Sequence, residues 1–473
     1  MIQISLLRIR ALTRVVALVL VAWAGLGTQA AWASHIRAGD IQAKVDTTFP
    51  GNPLRIFFRM VLYTTSTGVD EDKVTIFFGD GTSSCYRGVD RVGGRRPIPG
   101  STDTALNIYT FEHEFPSVGT FTVSYVGENR IGGVLNMDNS INQSFYISTR
   151  ITIDPALGRN RSPILTAPAI DKAATSQVFL HNPGGYDADG DSLAFKLRPS
   201  QQVPLLAQDI VGSPCPGTTG NNTPIAQIVP NFRYPNDPTI TPTTPPVQVN
   251  FPGVPVGVPG AAAIFAQDVN TGQITWNAPI AVGVYNVAMV VEEWRRTPLG
   301  RRLIGEVIRD MQITVSATSN IRPTITIPPD ICVIAGQTVT GAITATDGSS
   351  PSSPPTAVSL FAYAGIIPPA TFVQTTAGPP VARGTFNWLT DCNNVARLPY
   401  LVVFKAQDTP TGPPATNPPL IDERTWRITV IGPAPQNLQA VPDASTGLNR
   451  SLLTWNTYQC ANADSLYIYR KEN

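Results

Sequence analysis

Three stretches of alternating polar and apolar residues close three successive parts of the chain: RITIDP from Arg150, QITVSA from Gln312 and RITVIGP from Arg427. A period of two is the mark of a strand with one face on a core. Ile151, Ile153, Ile313, Val315, Ile428 and Val430 are therefore expected to point inward. A second pattern precedes the last two endings. GQITW, ending at Trp276, and GTFNW, ending at Trp388, both read Gly-x-apolar-x-Trp, and each is followed by a strand-like run, VYNVAMVVEEW or PYLVVFKAQD. A tryptophan on one strand, an apolar strand next and an edge strand last are what fill a β-sandwich core. Trp276 and Trp388 are expected core residues.

Each ending runs into a proline-containing stretch suited to a linker, DPALGRNRSP, SATSNIRP and GPAPQ. These divide the chain into 34–156, 157–317, 318–431 and 432–473. The second part carries a long insertion, about 211–250, too rich in proline and threonine to hold a core of its own. Composition supports short strands over long helices. The 473 residues include 44 prolines and 38 glycines, and 14% are charged; proline cannot donate to a helix ladder. An apolar share of 42% is enough for packed cores, and a net charge of +1 offers no footprint for nucleic acid. The fold class expected is all-β.

The start of the chain reads as an address. Arg8, Arg10 and Arg14 precede VVALVLVAWAGLG, and AWA follows at 31–33. A basic start, a short apolar run and a small-x-small site describe a secretory signal peptide over residues 1–33; the run is too short to span a membrane. The mature chain is expected to begin at Ser34, outside the cytoplasm, with no membrane span of its own. In an exported chain, five cysteines invite pairing. Cys332 and Cys392 fall inside one part, each beside a strand-like run, and are the expected disulfide, worth about 4 kcal/mol on a chain-entropy argument. Cys85 and Cys215 fall in different parts and are left unassigned, and Cys460 is the expected unpaired thiol.

FFGDGT, residues 77–82, drives an apolar run into Gly79-Asp80-Gly81. Glycine supplies positive φ and aspartate bonds its own backbone two residues on, so a structural turn is expected. No histidine or second acid stands near Asp80 in the sequence to make it catalytic. With YTFEHEFPSVGTFTVSY downstream, including His113, Phe115 and Gly119, this stretch resembles the PKD repeat, an immunoglobulin-like module in which Gly-Asp-Gly is a strand-connecting turn. ASHIRAGDIQA, ENRIGGVLNMDNSINQSFYISTRITIDP, HNPGGYDADGDSLAFKL and VVEEWRR…IGEVIRDMQITV together resemble large exported surface proteins of the Bacteroidetes group. These stack PKD, cadherin-like and fibronectin type III domains, and many end in a gliding-motility-associated or type IX sorting domain. The resemblance covers most of residues 33–470. It implies tandem immunoglobulin-like β-sandwiches: PKD-like over 34–156, cadherin-like over 157–317 and immunoglobulin-like over 318–431. The last part resembles the front of a fibronectin type III module through Leu438, Trp455, Tyr467 and Tyr469, with Trp455 expected in its core. That last sandwich is expected to be incomplete, as in the front portion of a longer protein.

YDADGDSL is the candidate for bound chemistry. Asp187, Asp189 and Asp191 alternate, so an extended segment aims all three one way, and hard oxygen clusters suit calcium. The glycine comes too early for an EF-hand. The motif looks more like the Asp-rich turns of cadherin-like repeats, where calcium stiffens a junction, and Asp154 is a candidate junction ligand. Calcium is thus the one cofactor considered, against an ion-free loop of turn-forming aspartates. Asn129, Asn136, Asn139 and Asn142 are expected to fix turns. The tip RRTPLGRR, with Arg295, Arg296, Arg301 and Arg302, is expected to be a solvated hairpin. No G-x-S-x-G, H-E-x-x-H, phosphate-cradling loop or CxxC is present. Glu292 and Glu293 adjoin on a strand and face opposite ways. The reading is a secreted or surface, non-catalytic structural or adhesion protein. Its expected partner is a surface polysaccharide or a protein, with no nucleic acid. The competing readings are the spacer or targeting arm of a secreted hydrolase, and a carbohydrate-binding module.

Overall fold

The computed structural model describes residues 36–48, 51–85, 87–98, 103–204, 223–351, 353–412, 417–442 and 450–460. The signal segment, Cys215, Tyr467, Tyr469 and part of the insertion lie outside the described residues. The described chain is all-β. Its helical pieces are single turns such as Pro155–Leu157 and Cys392–Asn394.

Residues 324–431 make a two-sheet sandwich. One sheet runs Thr324–Thr326, Thr338–Thr346, Ala382–Leu389, Thr371–Ala377; the other runs Ile331–Ile334, Ile421–Ile431, Tyr400–Asp408, Val358–Tyr363. Taken in chain order as A, A′, B, C, D, E, F and G, these are the sheets ABED and A′GFC, the strand order of an immunoglobulin-like sandwich. Between them Phe386, Trp388, Phe404, Trp426, Ile428 and Val430 are fully buried.

The repeated tryptophan pattern resolves into one repeated contact. Trp276 meets Tyr285 of the following strand edge-on, with ring centres 4.9 Å apart, and Trp388 meets Tyr400 in the same way at 4.9 Å. Such edge-to-face pairs add about 1 kcal/mol to the burial itself.

Sequence reading drew a boundary after residue 156, but the structure carries a sheet across it. The long hairpin of Gly283–Thr297 and Gly300–Ser316 belongs to the second part. Yet the outer edge of Gly300–Ser316 pairs with Thr149–Ile151, then meets Gly39 through Asp310, and then runs parallel to Ile170–Ala174. Strands from both parts thus form one sheet of eleven. The cores cross as well: Ala38, Val61 and Tyr63 pack in the cluster of Trp276, Tyr285 and Ile313, and Ile421 joins it from the third part. A strand of 17 residues is longer than one sandwich needs, and its surplus length forms the crossing.

The last part is different. Gln439–Pro442 and Ser451–Thr454 form a hairpin, and among the described residues no second sheet covers it. Trp455, expected in a core, is accordingly 40% exposed, and Leu438 and Leu452 are exposed with it.

The expected disulfide is also corrected. Cys392 pairs with Cys460 across a Cα–Cα distance of 5.2 Å, and Cys332 is a free, exposed thiol. On the strand Ile331–Ile334 it is Val333 that turns inward, so the period of two turns Cys332 outward, away from the opposite sheet. Cys392 opens a helical turn at the end of the sandwich, where it meets the following segment. Cys85 is disulfide-bonded.

Candidate metal centre and buried ion-pair joints

The Asp-rich loop follows the short strand Gly185–Tyr186 and leads into Ser192–Arg198. Asp187 turns inward and organises it: Oδ1 accepts the N–H groups of Asp189, at 2.9 Å, and of Asp191, at 2.8 Å. Asp191 comes back beside Asp187, and the third acid is Glu293. These three place ligand atoms within 4.8 Å of one another.

Glu293 was set aside in sequence because it neighbours Glu292 on a strand. The opposite-face argument was correct, since Glu292 reaches outward to Lys196 at 2.6 Å, but the inward face is the one that carries the cluster. A register shift opposite Glu293 and Trp294 lets the carboxylate turn in. Gly305 makes room for it: a Cβ there would stand 2.4 Å from Glu293 Oε2.

The other two predicted ligands are used elsewhere. Asp189 accepts the backbone N–H of Arg161 at 2.6 Å and its Nε at 3.1 Å. Asp154 caps the turn Pro155–Leu157 through Ala156 N and pairs with Arg302 at 3.0 Å. Arg295 is likewise no solvated tip residue. Its Nε donates to both oxygens of Asp191, at 3.0 and 3.1 Å, and Nη2 donates to Asp191 and to Asn160 Oδ1. Nη1 holds the carbonyls of Leu157 and Arg159.

Charge balance here is incomplete. Glu293 Oε1 and Asp187 Oδ2 are buried without a hydrogen-bond partner. Burial, then the neighbouring acids, pushes Glu293 up to about 10, and burial likewise raises Asp187 to about 6. At neutral pH the cluster is therefore held by Arg295 and by a proton on Glu293. The donor set is all hard carboxylate oxygen, with two oxygens free, which fits a cation such as calcium. Binding one would require expelling protons and competing with Arg295 for Asp191.

A second cluster lies where the second part meets the third. On Tyr400–Asp408, Val402, Phe404 and Ala406 face the sandwich core, yet Val403 and Lys405 on the opposite face are buried too. An outward sheet face normally meets water; this one meets the strands around residues 170–182. Lys405 Nζ lies 2.8 Å from Asp171 Oδ1 and 3.8 Å from Glu423 Oε1. His181 Nδ1 bonds Asp171 Oδ2 at 2.8 Å, and Asn182 N donates to Glu423 Oε2 at 2.6 Å. Burial pushes Glu423 up to about 8 and lowers His181. Burial opposes the charge on Lys405, but Asp171 and then Glu423 hold its pKa above the ordinary range. The joint is thus a matched Lys405–Asp171 pair with a neutral imidazole and a protonated Glu423 around it.

A third network sits where the first part meets the long hairpin. Arg309 forks onto Asp40 at 3.0 and 2.6 Å, and Arg130 donates to Asp310 at 2.9 Å. Asn286 reaches Asp310, and Asn136 bonds the carbonyl of Asn286 at 2.7 Å. All four charged groups are buried. Sequence reading missed these networks. The available signal was a charged residue inside an otherwise apolar strand, as in EVIRDMQITV and VVFKAQD.

The Gly79-Asp80-Gly81 segment is a turn. Both glycines have positive φ, 79° and 91°, and Asp80 Oδ1 accepts Thr82 N at 2.9 Å. One premise is corrected: a histidine does stand beside Asp80, with His113 Nε2 2.7 Å from Oδ2. Its ring is stacked on Phe78 with centres 3.8 Å apart, which pins the imidazole in place.

Among the described residues no helix is long and apolar enough to cross a membrane. No known family and no curated protein matches the chain. Solved structures that resemble it include a chain of the complex of Dpr2 Ig1-Ig2 with DIP-Theta Ig1-Ig3. That match has 10% identity and a TM-score of 0.18, and covers 57% of this chain and 99% of that one. The protocadherin gammaB4 extracellular domain also matches, at 10% identity and TM-score 0.18, over 80% of this chain and 44% of that one. So does the sialic-acid-binding region of a Streptococcus sanguinis adhesin, at 12% identity and TM-score 0.19, over 59% and 81%. Likenesses this distant carry no argument about function.

Proposed function

We propose that the chain is an exported, non-catalytic structural or adhesion protein whose β-sandwich modules form a stiff arm that presents a surface to a polysaccharide or protein partner. The observation that carries this is the joint at Lys405. A module that swings on a linker keeps its outer sheet face wet, whereas here Val403, Lys405 and Glu423 are buried against the preceding part. Two further features favour a role without chemistry. His113 is stacked on Phe78 and bonded to Asp80, and His181 is enclosed within the ion-pair joint, so each imidazole has structural partners.

Calcium enters this proposal in a changed form, with Asp187, Asp191 and Glu293 as the ligands and a tie between the Asp187–Asp191 loop and the strand Gly283–Thr297 as the effect. The test of the main reading is protease shaving of intact cells of the producing organism, followed by attachment assays on a deletion strain. Release of fragments from the chain together with lost attachment supports it. Fragments found only after lysis, or unchanged attachment, would overturn it.

A further inference from the structure

Residues 154–162 leave the strand Phe145–Ile153 and close against the end of the strand Ile36–Val45. Val45 N donates to Asn160 O at 3.0 Å, and Ser162 N to Ala43 O at 2.8 Å. Behind this closure lies a cavity of about 220 Å³. Its wall is the floor of the first core: Ala43, Val45, Ile56, Ile151 and Ile153 each keep 5–7% exposure there.

The polar groups on the wall are already engaged. Asn160 spends its side chain on Glu293 and Arg295, and Ser162 Oγ accepts Ala43 N. A sugar, which needs many hydrogen bonds, finds few here. The charges at the lining are unbalanced in one direction. Asp154 is neutralised by Arg302, while Arg159 lines the same cavity, is exposed, and makes no side-chain hydrogen bond or ion pair with the described residues; Lys44, between the inward Ala43 and Val45, turns to the outer face of its strand. Arg295, by gripping the carbonyls of Leu157 and Arg159, fixes the closing segment before any ligand arrives, which lowers the cost of binding. Apolar cavities of about 150 Å³ stay dry and take up a benzene-sized molecule, so this one has room for a ring with a short tail.

We infer that this cavity is a binding site for a small monocarboxylate with an aromatic or branched apolar body, the body packed against the five apolar side chains and the carboxylate held by Arg159. The site lies apart from the joint that carries the proposed function.

The test uses the full mature chain with 4-phenylbutyrate and its uncharged counterpart 4-phenyl-1-butanol, followed by calorimetry. The acid should bind more tightly than the alcohol. Arg159→Gln should weaken the acid about two- to fivefold, the size of one exposed ion pair, and leave the alcohol unchanged, whereas Lys44→Gln, on the outer face, should change neither. Arg159 is exposed, so its variant should fold. Ile153→Phe, which fills the cavity, should abolish binding of both. Equal affinity for acid and alcohol, binding that survives Ile153→Phe, or no binding of either compound to the wild-type chain would each overturn the inference.

Discussion

Replacing Lys405 with methionine removes one charge from the buried joint and keeps the length of its apolar stem. At an effective dielectric of about 20, unit charges at the 2.8 Å separation of Lys405 and Asp171 attract by about 6 kcal/mol. Glu423, raised to about 8, is mostly protonated at pH 7 and adds little. Burying the ammonium costs several kcal/mol in return, so the wild-type pair is close to neutral overall. The variant is not neutral, because Asp171 stays buried with His181 alone beside it. Loss of one partner of a buried pair typically costs about 3–5 kcal/mol. Urea unfolding followed by tryptophan fluorescence reads this directly, and a joint that opens separately would split the transition in two. Adding Asp171→Asn should restore most of the loss, since no unpaired charge remains. The loss should also be smaller at pH 5.5 than at pH 8. In the variant, Asp171 favours the protonated imidazole, so His181 supplies stabilisation at low pH that disappears as pH rises through its pKa. A variant no less stable than the surface change Arg55→Met would refute the reasoning, as would a double variant no more stable than Lys405→Met.

The raised acids predict the pH dependence of the wild-type chain. Glu293 at about 10, Glu423 at about 8, Asp408 at about 7 and Asp187 at about 6 all bind protons more tightly folded than unfolded. Their contribution is complete below about pH 4 and falls as pH rises, each by up to about 1.4 kcal/mol per pH unit within its own window. The melting temperature should therefore drop from pH 5 to pH 8, and Glu293→Gln, which keeps the bond to Asn160, should flatten that slope; an unchanged slope contradicts the burial of Glu293. If calcium enters at Asp187, Asp191 and Glu293, it should release about one proton at pH 7, that of Glu293, and bind more tightly as pH rises; calorimetry in two buffers of different ionisation heat measures this, and Glu293→Gln should weaken it. Alkylation without reductant should mark Cys332 and leave Cys392 and Cys460 unmarked, and a Cys332–Cys392 peptide in a digest would contradict the observed pairing.

What was legible in the sequence was local. A period of two needs no partner to be seen, so the strands ending at Ile153, Val315 and Val430 and the two buried tryptophans could be read from their own residues. The turn at Asp80 was legible for the same reason, because its chemistry is contained in four residues. The acid cluster was half legible: Asp187 and Asp191 stand in one motif, but Glu293 arrives from a strand 102 residues beyond Asp191, through a register shift that no local pattern announces. The disulfide was misread because shared membership of one sandwich says nothing about facing, and on its strand Cys332 faces outward. The joints were illegible for a related reason. Lys405 and Arg309 look like ordinary charged residues until the opposite strand face is known to be covered. A boundary marked by proline was read as a linker between separate modules, whereas the long hairpin had residues enough to bridge it.

The central claim is that the parts of the chain form one stiff arm. Cys332, free and exposed on the third part, accepts a spin label as it stands, and Thr122, exposed on the first, can be changed to cysteine for a second. Pulsed dipolar spectroscopy of that doubly labelled chain should give a single narrow distance distribution that broadens in Lys405→Met. A broad distribution in the wild-type chain, unaffected by Lys405→Met, would mean that the parts swing freely and would contradict the account.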